Sequence, residues 1–330
     1  MFMKQRDSFF DNYKAFLILC VVLAHFLNHF KPDFEIANII RIFVYFFHVP
    51  AFVFISGYFA HKKDIKSLIR QLAFPYLLFQ LVYYGMYQLI DHNVSFSIYD
   101  PYFTLWYIIA LFFWRLILNV AEDNKYLLPV SIISALLIGF LPDELDYFSI
   151  YRIFSFFPFF VLGHQFKKDR FMELKSKPFI KYISFMTLFI LFLFVCRHYE
   201  AIDLEVLNYQ DSYENLGVDS SGIVIHFILS CISFFCIFCI GFLIPLKTTP
   251  FTMIGRNTMS VYLLHGIIYK YISLGMNVLD YVDGRMDLLI YIILIIGLVY
   301  GLSVIPLNRY LNELYDRITG IPKRIYKWIC

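Results

Sequence analysis

His25, His48 and His265 each stand inside a long apolar run. An imidazole, with an ordinary pKa of about 6.5, can take a proton from a hydroxyl or return one to a leaving group near neutral pH. The first run adds a second group on the same face. Asp11, Lys14 and His25 lie in DNYKAFLILCVVLAH, and eleven residues at about 100° each bring Lys14 and His25 to within roughly 20° of one another around a helix, with a rise of roughly 16 Å. One face therefore offers a cation at one end and an imidazole near mid-membrane, with Asp11 one turn from Lys14 as a partner. A snorkelling Lys14 and a His25 that merely bonds a neighbouring helix would give the same spacing. In the second run, Phe47-His48-Val49-Pro50 sets an imidazole beside a helix breaker, and the bend expected at Pro50 would either turn His48 toward a cavity or serve packing, with His48 merely satisfied across a helix interface. In a later run Tyr262 and Thr258 share a face with His265.

The elements that must position these groups follow from composition. Hydrophobic residues make up 60% of the 330, charged residues only 16%, and mean hydropathy is +0.66, against about 45–50% and about 25% in soluble domains. The apolar runs are long enough to cross a bilayer. They place helices near 13–30, 38–60, 71–90, 102–120, 126–141, 150–166, 180–197, 223–246, 257–275 and 287–306. The expected fold is all-α: a polytopic integral membrane protein of about ten transmembrane helices, forming a single membrane domain over residues 1–330. With the N-terminus inside, 21 of the 28 Lys and Arg residues fall in the inner segments, which places both termini on the cytoplasmic side.

A net charge of +3, spread over short loops, gives no reason to expect a nucleic-acid partner. The first apolar run lacks a small-residue cleavage site and reads as a retained helix. Cys236 and Cys239 have a redox spacing but lie deep in an apolar run, where thiols pack as small hydrophobes. No metal-binding spacing is seen. Arg115 and Arg152 are expected to snorkel, Trp106 and Tyr107 to join an interfacial aromatic belt, and His29 to be wet near the outer surface. The outer loop His198–Gly222 is acidic and reads as a solvated loop ahead of a lid.

In order, these residues resemble the acyltransferase-3 family of bacterial membrane O-acyltransferases, in particular its short, fucose 4-O-acetylase-like members. Lys14 with ten residues to His25 is similar to the family's basic-x10-His signature in its first helix. Phe47-His48-Val49-Pro50 with Phe54-Ile55-Ser56-Gly57-Tyr58 is similar to the second-helix block. Leu105-Trp106-Tyr107, Phe157-Pro158-Phe159-Phe160-Val161-Leu162-Gly163 and Ile254-Gly255-Arg256-Asn257 through His265 follow. The resemblance implies acetyl-CoA as a cytoplasmic donor, a carbohydrate hydroxyl as acceptor, His25 as the catalytic group and a multi-pass protein of the bacterial cytoplasmic membrane that works beside envelope polysaccharide biosynthesis proteins. Two departures stand out. The family's Arg-x-x-Arg after the second helix is replaced by His61 to Arg70, and the extracellular transfer domain of larger members has no counterpart.

On that basis Lys14, Lys66 and Arg70 are expected to hold the phosphates of acetyl-CoA, with His25 as general base for the acceptor hydroxyl. His48, Ser56, Tyr58, Arg256, Tyr262 and His265 are expected on the acceptor side or orienting His25. The rival expectation is an exporter or flippase of polysaccharide or lipid-linked sugar that transfers no acyl group, although the paired broken helices common in transporters are not found.

Overall fold

The computed structural model describes residues 6–30, 34–90, 94–275 and 284–320, and among these the regular structure is helical, with no strand. In chain order the helices are α1 (Ser8–Phe26), α2 (Glu35–Tyr45), α3 (His48–Tyr58), α4 (Ile65–Leu68), α5 (Phe74–Ile90), α6 (Trp106–Ala121), α7 (Leu127–Leu137), α8 (Ile150–His164), α9 (Lys168–Lys175), α10 (Pro178–His198), α11 (Leu204–Asn208), α12 (Gly222–Leu243), α13 (Thr252–Arg256), α14 (Thr258–Gly275), α15 (Arg285–Ser303) and α16 (Leu307–Thr319). All ten apolar runs read from the sequence are helical. Five segments, Ser8–His29, Glu35–Tyr58, Pro178–Ala201, Asp219–Leu243 and Arg285–Ser303, are long and apolar enough to cross a membrane, and Trp106–Ala121 and Leu127–Phe140 are shorter apolar helices.

Helix α1 is the axis of the fold. Asp7 caps it by accepting from Phe9 N at 3.1 Å, and neither Gly nor Pro interrupts it, so it runs unbroken past both Lys14 and His25. The apolar window of its segment is 72% buried, whereas that of Pro178–Ala201 is 11% buried. Helix α1 therefore lies among other helices, and α10 presents its Phe185, Phe189 and Ile190 side chains outward. Near its start α1 is tied down by polar bonds: Asn12 Nδ2 donates to Pro245 O at 2.9 Å and to Lys247 O at 2.7 Å, and the Tyr13 hydroxyl donates to Ile237 O at 2.6 Å.

The second apolar run is broken, which corrects the expected bend at Pro50. Helix α2 ends at Tyr45, Phe47 leaves helical geometry at φ −137°, and α3 restarts at His48. Pro50 thus occupies the first turn of a new helix, where its missing N–H has no intrahelical partner to lose. The break also gives His48 its orientation, because His48 Nδ1–H donates to Val44 O at 2.8 Å across the gap.

Helices α3 and α8 meet backbone to backbone. A Cβ on Gly57 would lie 2.0 Å from Phe160 O, and one on Gly163 would lie 1.9 Å from Phe54 O, so only two reciprocal glycines permit this approach. Two cations are absorbed by the scaffold. Lys175 Nζ donates to Gly241 O, Phe242 O and Ile244 O at 2.9, 2.7 and 2.7 Å, closing the C-terminal end of α12,. Arg70 donates to Asn312 Oδ1 at 2.7 Å and to Asp316 Oδ2 at 2.8 Å, and its guanidinium lies over Tyr315, which fixes α16 against the segment leading into α5.

Candidate active site

A cavity of about 530 Å³ opens along α1. Lys14, Ile18, Val21 and His25 line it from that helix at spacings of four, three and four residues, so the shared face expected from the sequence is the face turned to the cavity. Helix α3 contributes His48, Ile55 and Ser56, with Phe59 just past its end, α6 contributes Trp106, Tyr107 and Arg115, and α14 contributes Thr258 and Tyr262. Between Lys14 and His25, α1 rises about 16 Å.

At one end the cavity is cationic. Lys14 is buried, its Nζ 3.2 Å from Asp11 Oδ1. Asp11 also accepts from Arg6 Nε at 2.9 Å and lies 3.7 Å from Arg256 Nε. One carboxylate thus faces three cations, and Arg115 adds a fourth positive group to the lining of the same cavity. Gly255 makes the cluster possible, since a Cβ there would lie 1.7 Å from the Asp11 carbonyl oxygen.

Midway, three rings surround His25: Phe103 at 4.7 Å, His265 at 5.6 Å and Tyr269 at 6.0 Å between centroids. His265 Nδ1–H donates to Val261 O at 2.9 Å. In the neutral ring that bond selects the Nδ1–H tautomer with Nε2 as the acceptor, and Nε2 is buried and without a hydrogen-bond partner among the described residues,. His48 has the same tautomer for the same reason. Ser56 Oγ and the Tyr107 hydroxyl share a hydrogen bond of 2.7 Å, and the Tyr262 hydroxyl donates to Thr104 O.

Of the sequence candidates, Lys14, His25, His48, Ser56 and Tyr262 line the cavity, and His265 stands directly beside His25. The remaining four do not line it. Lys66 is exposed, Arg70 is held by α16, Tyr58 stacks on Phe10 at 4.3 Å, and Arg256 belongs to the Asp11 cluster. Three expectations are corrected. Arg115 and Arg152 face the cavity instead of snorkelling, Trp106 and Tyr107 line it too, and His29 is fully buried, stacked on Tyr269 at 4.7 Å. Rarity of charge inside apolar runs had marked both arginines as unusual, but only tertiary packing shows which side they face. The acidic outer loop also contributes, through Asn208 and Gln210. Among the described residues no group of three or more His, Cys, Asp or Glu is placed to hold a metal ion.

A family model described as an acyltransferase domain, acyltransferase-3, matches residues 7–306. The chain belongs to the acyltransferase-3 family. The match covers every element that lines the cavity, so this acyltransferase-3 protein is a multi-pass membrane acyltransferase whose cavity is its candidate active site. No curated protein and no solved structure matches the chain.

Proposed function

We propose that this acyltransferase moves an acetyl group from acetyl-CoA, entering from the cytoplasmic face, to a hydroxyl of a cell-surface or lipid-linked carbohydrate at the bacterial cytoplasmic membrane, with His25 as general base. The observation that carries the reading is the shared cavity: Lys14 and His25 line one continuous space from one face of one helix. The donor's phosphates suit the cationic end, where the expected Lys14 is joined by Arg115 in place of Lys66 and Arg70. Its extended arm then reaches inward and brings the thioester toward the imidazole.

There His25 takes the proton of the acceptor hydroxyl as that oxygen attacks the thioester carbonyl. The carbon–sulfur bond breaks, and the imidazolium returns the proton to the departing thiolate, so the histidine ends as it began. His265 is a positioning residue in this scheme. Its free Nε2 is an acceptor that can receive the other N–H of His25 and hold the ring's tautomer. Membership of the family favours acyl transfer over simple export of a sugar.

The test is acyl transfer and acetyl-CoA hydrolysis measured with labelled donor and purified protein in lipid nanodiscs. His25→Ala is expected to lower both by about 10²–10⁴-fold while the protein stays folded and inserted. Near-normal turnover in that variant would remove His25 from the mechanism.

A further inference from the structure

Helix α16 begins after a gap of three residues from α15, one of the five segments apolar enough to cross a membrane, and so starts at a bilayer surface. Its 13 residues span about 20 Å, short of the roughly 30 Å of a hydrocarbon core, and they include the charges of Arg309, Glu313, Asp316 and Arg317, so this helix does not cross. One face is committed to the protein. Leu311 is buried in the apolar cluster of Leu68, Leu72 and Tyr76, Asn312 and Asp316 hold Arg70, and the Tyr315 ring lies under that guanidinium and 5.2 Å from Phe74. These contacts fix how the helix is turned. Tyr310, Leu314 and Ile318, at four-residue spacing, form one outward stripe, and they are 56%, 37% and 67% exposed.

The charges beside the stripe indicate what it lies on. Asp316 is engaged by Arg70 and Glu313 accepts from Arg309 Nε at 3.0 Å, whereas Arg317 is exposed and has no hydrogen-bond or ion-pair partner among the described residues. Seven residues on from Tyr310, Arg317 stands about 20° from it around the helix, at the border between the apolar stripe and the polar face. From Leu307 onward the sequence holds Arg309, Arg317, Lys323, Arg324 and Lys327 against Glu313 and Asp316. We infer that α16 lies in the plane of the membrane surface, with Tyr310, Leu314 and Ile318 among the upper acyl carbons and Arg317 at the headgroups, and that it gathers anionic phospholipid. A helix takes this position when an apolar stripe and flanking cations occur together, and each cation at an anionic surface adds to the preference. The occupant is a lipid because a free phosphate would use the cation and leave the stripe in water, without the gain of burial. This surface lies outside the cavity, and the inference holds whatever group the enzyme transfers.

The experiment places a bimane fluorophore on Leu314→Cys or Ile318→Cys, in the full-length protein lacking its native cysteines. The nanodiscs contain equal phosphatidylcholine and phosphatidylglycerol, with bromine on the acyl chains of one lipid or the other as a contact quencher. Both labels are expected to be quenched by lipid, more strongly by brominated phosphatidylglycerol than by brominated phosphatidylcholine by about fivefold, the worth of one cation at an anionic surface. High salt should narrow that ratio. Arg317→Gln together with Lys323→Gln, Arg324→Gln and Lys327→Gln should bring it near one, with quenching by phosphatidylcholine retained as the sign that the helix is still seated. A label on Glu313→Cys, on the polar face, should be quenched by aqueous iodide instead. Quenching of the Leu314 and Ile318 labels by iodide and by neither lipid overturns the placement. Protection of both labels from all three quenchers, in discs that hold two chains, gives the stripe to a second copy and overturns it as well. Equal quenching by the two lipids in the otherwise unsubstituted protein overturns the choice of anionic lipid.

Discussion

Lys14 is held in place by a carboxylate that two further cations already neutralise, and this sets what its loss should do. In Lys14→Ala, Asp11 keeps Arg6 at 2.9 Å and Arg256 at 3.7 Å, so the fold survives and the deficit falls on the donor. The half-saturating acetyl-CoA concentration should rise by about tenfold or more, the worth of one hydrogen bond to a charged group, with turnover at saturation far less affected. An unchanged half-saturation would count against phosphate binding at this end. At the other end, burial raises the Asp146 carboxyl above its ordinary 3.8, the Tyr151 and Ile150 amides and Arg152 draw it down, and Asp211, itself raised by burial, pushes it up. The melting temperature should therefore rise as pH falls through a limb lying above 3.8, and Asp146→Asn should flatten that dependence,. The ionised carboxylate is a cost to the fold that is relieved as pH falls through the raised value, because the folded state then binds the proton more tightly than the unfolded chain. Lys14 and His25 were legible as a pair because helical periodicity alone fixes their common face. Arg70 was not, since its partners Asn312 and Asp316 lie more than 240 residues away and no local pattern announces them.

Between elements, the α3–α8 contact depends on two missing methyl groups. Gly163→Ala would bring a Cβ to 1.9 Å of Phe54 O and must part the helices that carry His48, Ser56 and Arg152. Overpacking of this kind costs about 1–3 kcal/mol or more, to be read as a lower melting temperature and a smaller monodisperse fraction after purification. Gly85→Ala in α5, where nothing lies within 4 Å, should be neutral or slightly stabilising, since alanine is the better helix former. Equal effects of the two substitutions would show that the close approach carries no weight. Hydropathy found all ten helical runs because each is apolar over many residues. It misread the interruption in the second, since a proline inside a helix and one in the first turn of a new helix look alike in sequence. The difference lies in Phe46 and Phe47, two residues that carry no turn signal.

At the scale of the molecule, the alternation of basic loops predicts one orientation, with the Lys14 end of the cavity toward the cytoplasm. Cysteines introduced as Lys66→Cys and Glu214→Cys, in a background lacking the native cysteines, should react with a membrane-impermeant maleimide from opposite sides. Reaction of both from one side would sink the proposed crossing order. Loop charge could indicate sides but not the cavity, because the residues that line it come from distant stretches whose inward faces are set only when α1, α3, α6 and α14 pack together. The arrangement of its ends has a further consequence. Between the cations at Lys14 and Arg115 and the ring of His25 the wall contributed by α1 is Ile18 and Val21, so the phosphates of a carrier should stay at the mouth while only its uncharged arm goes deeper, a tether that keeps the spent carrier from leaking across the bilayer.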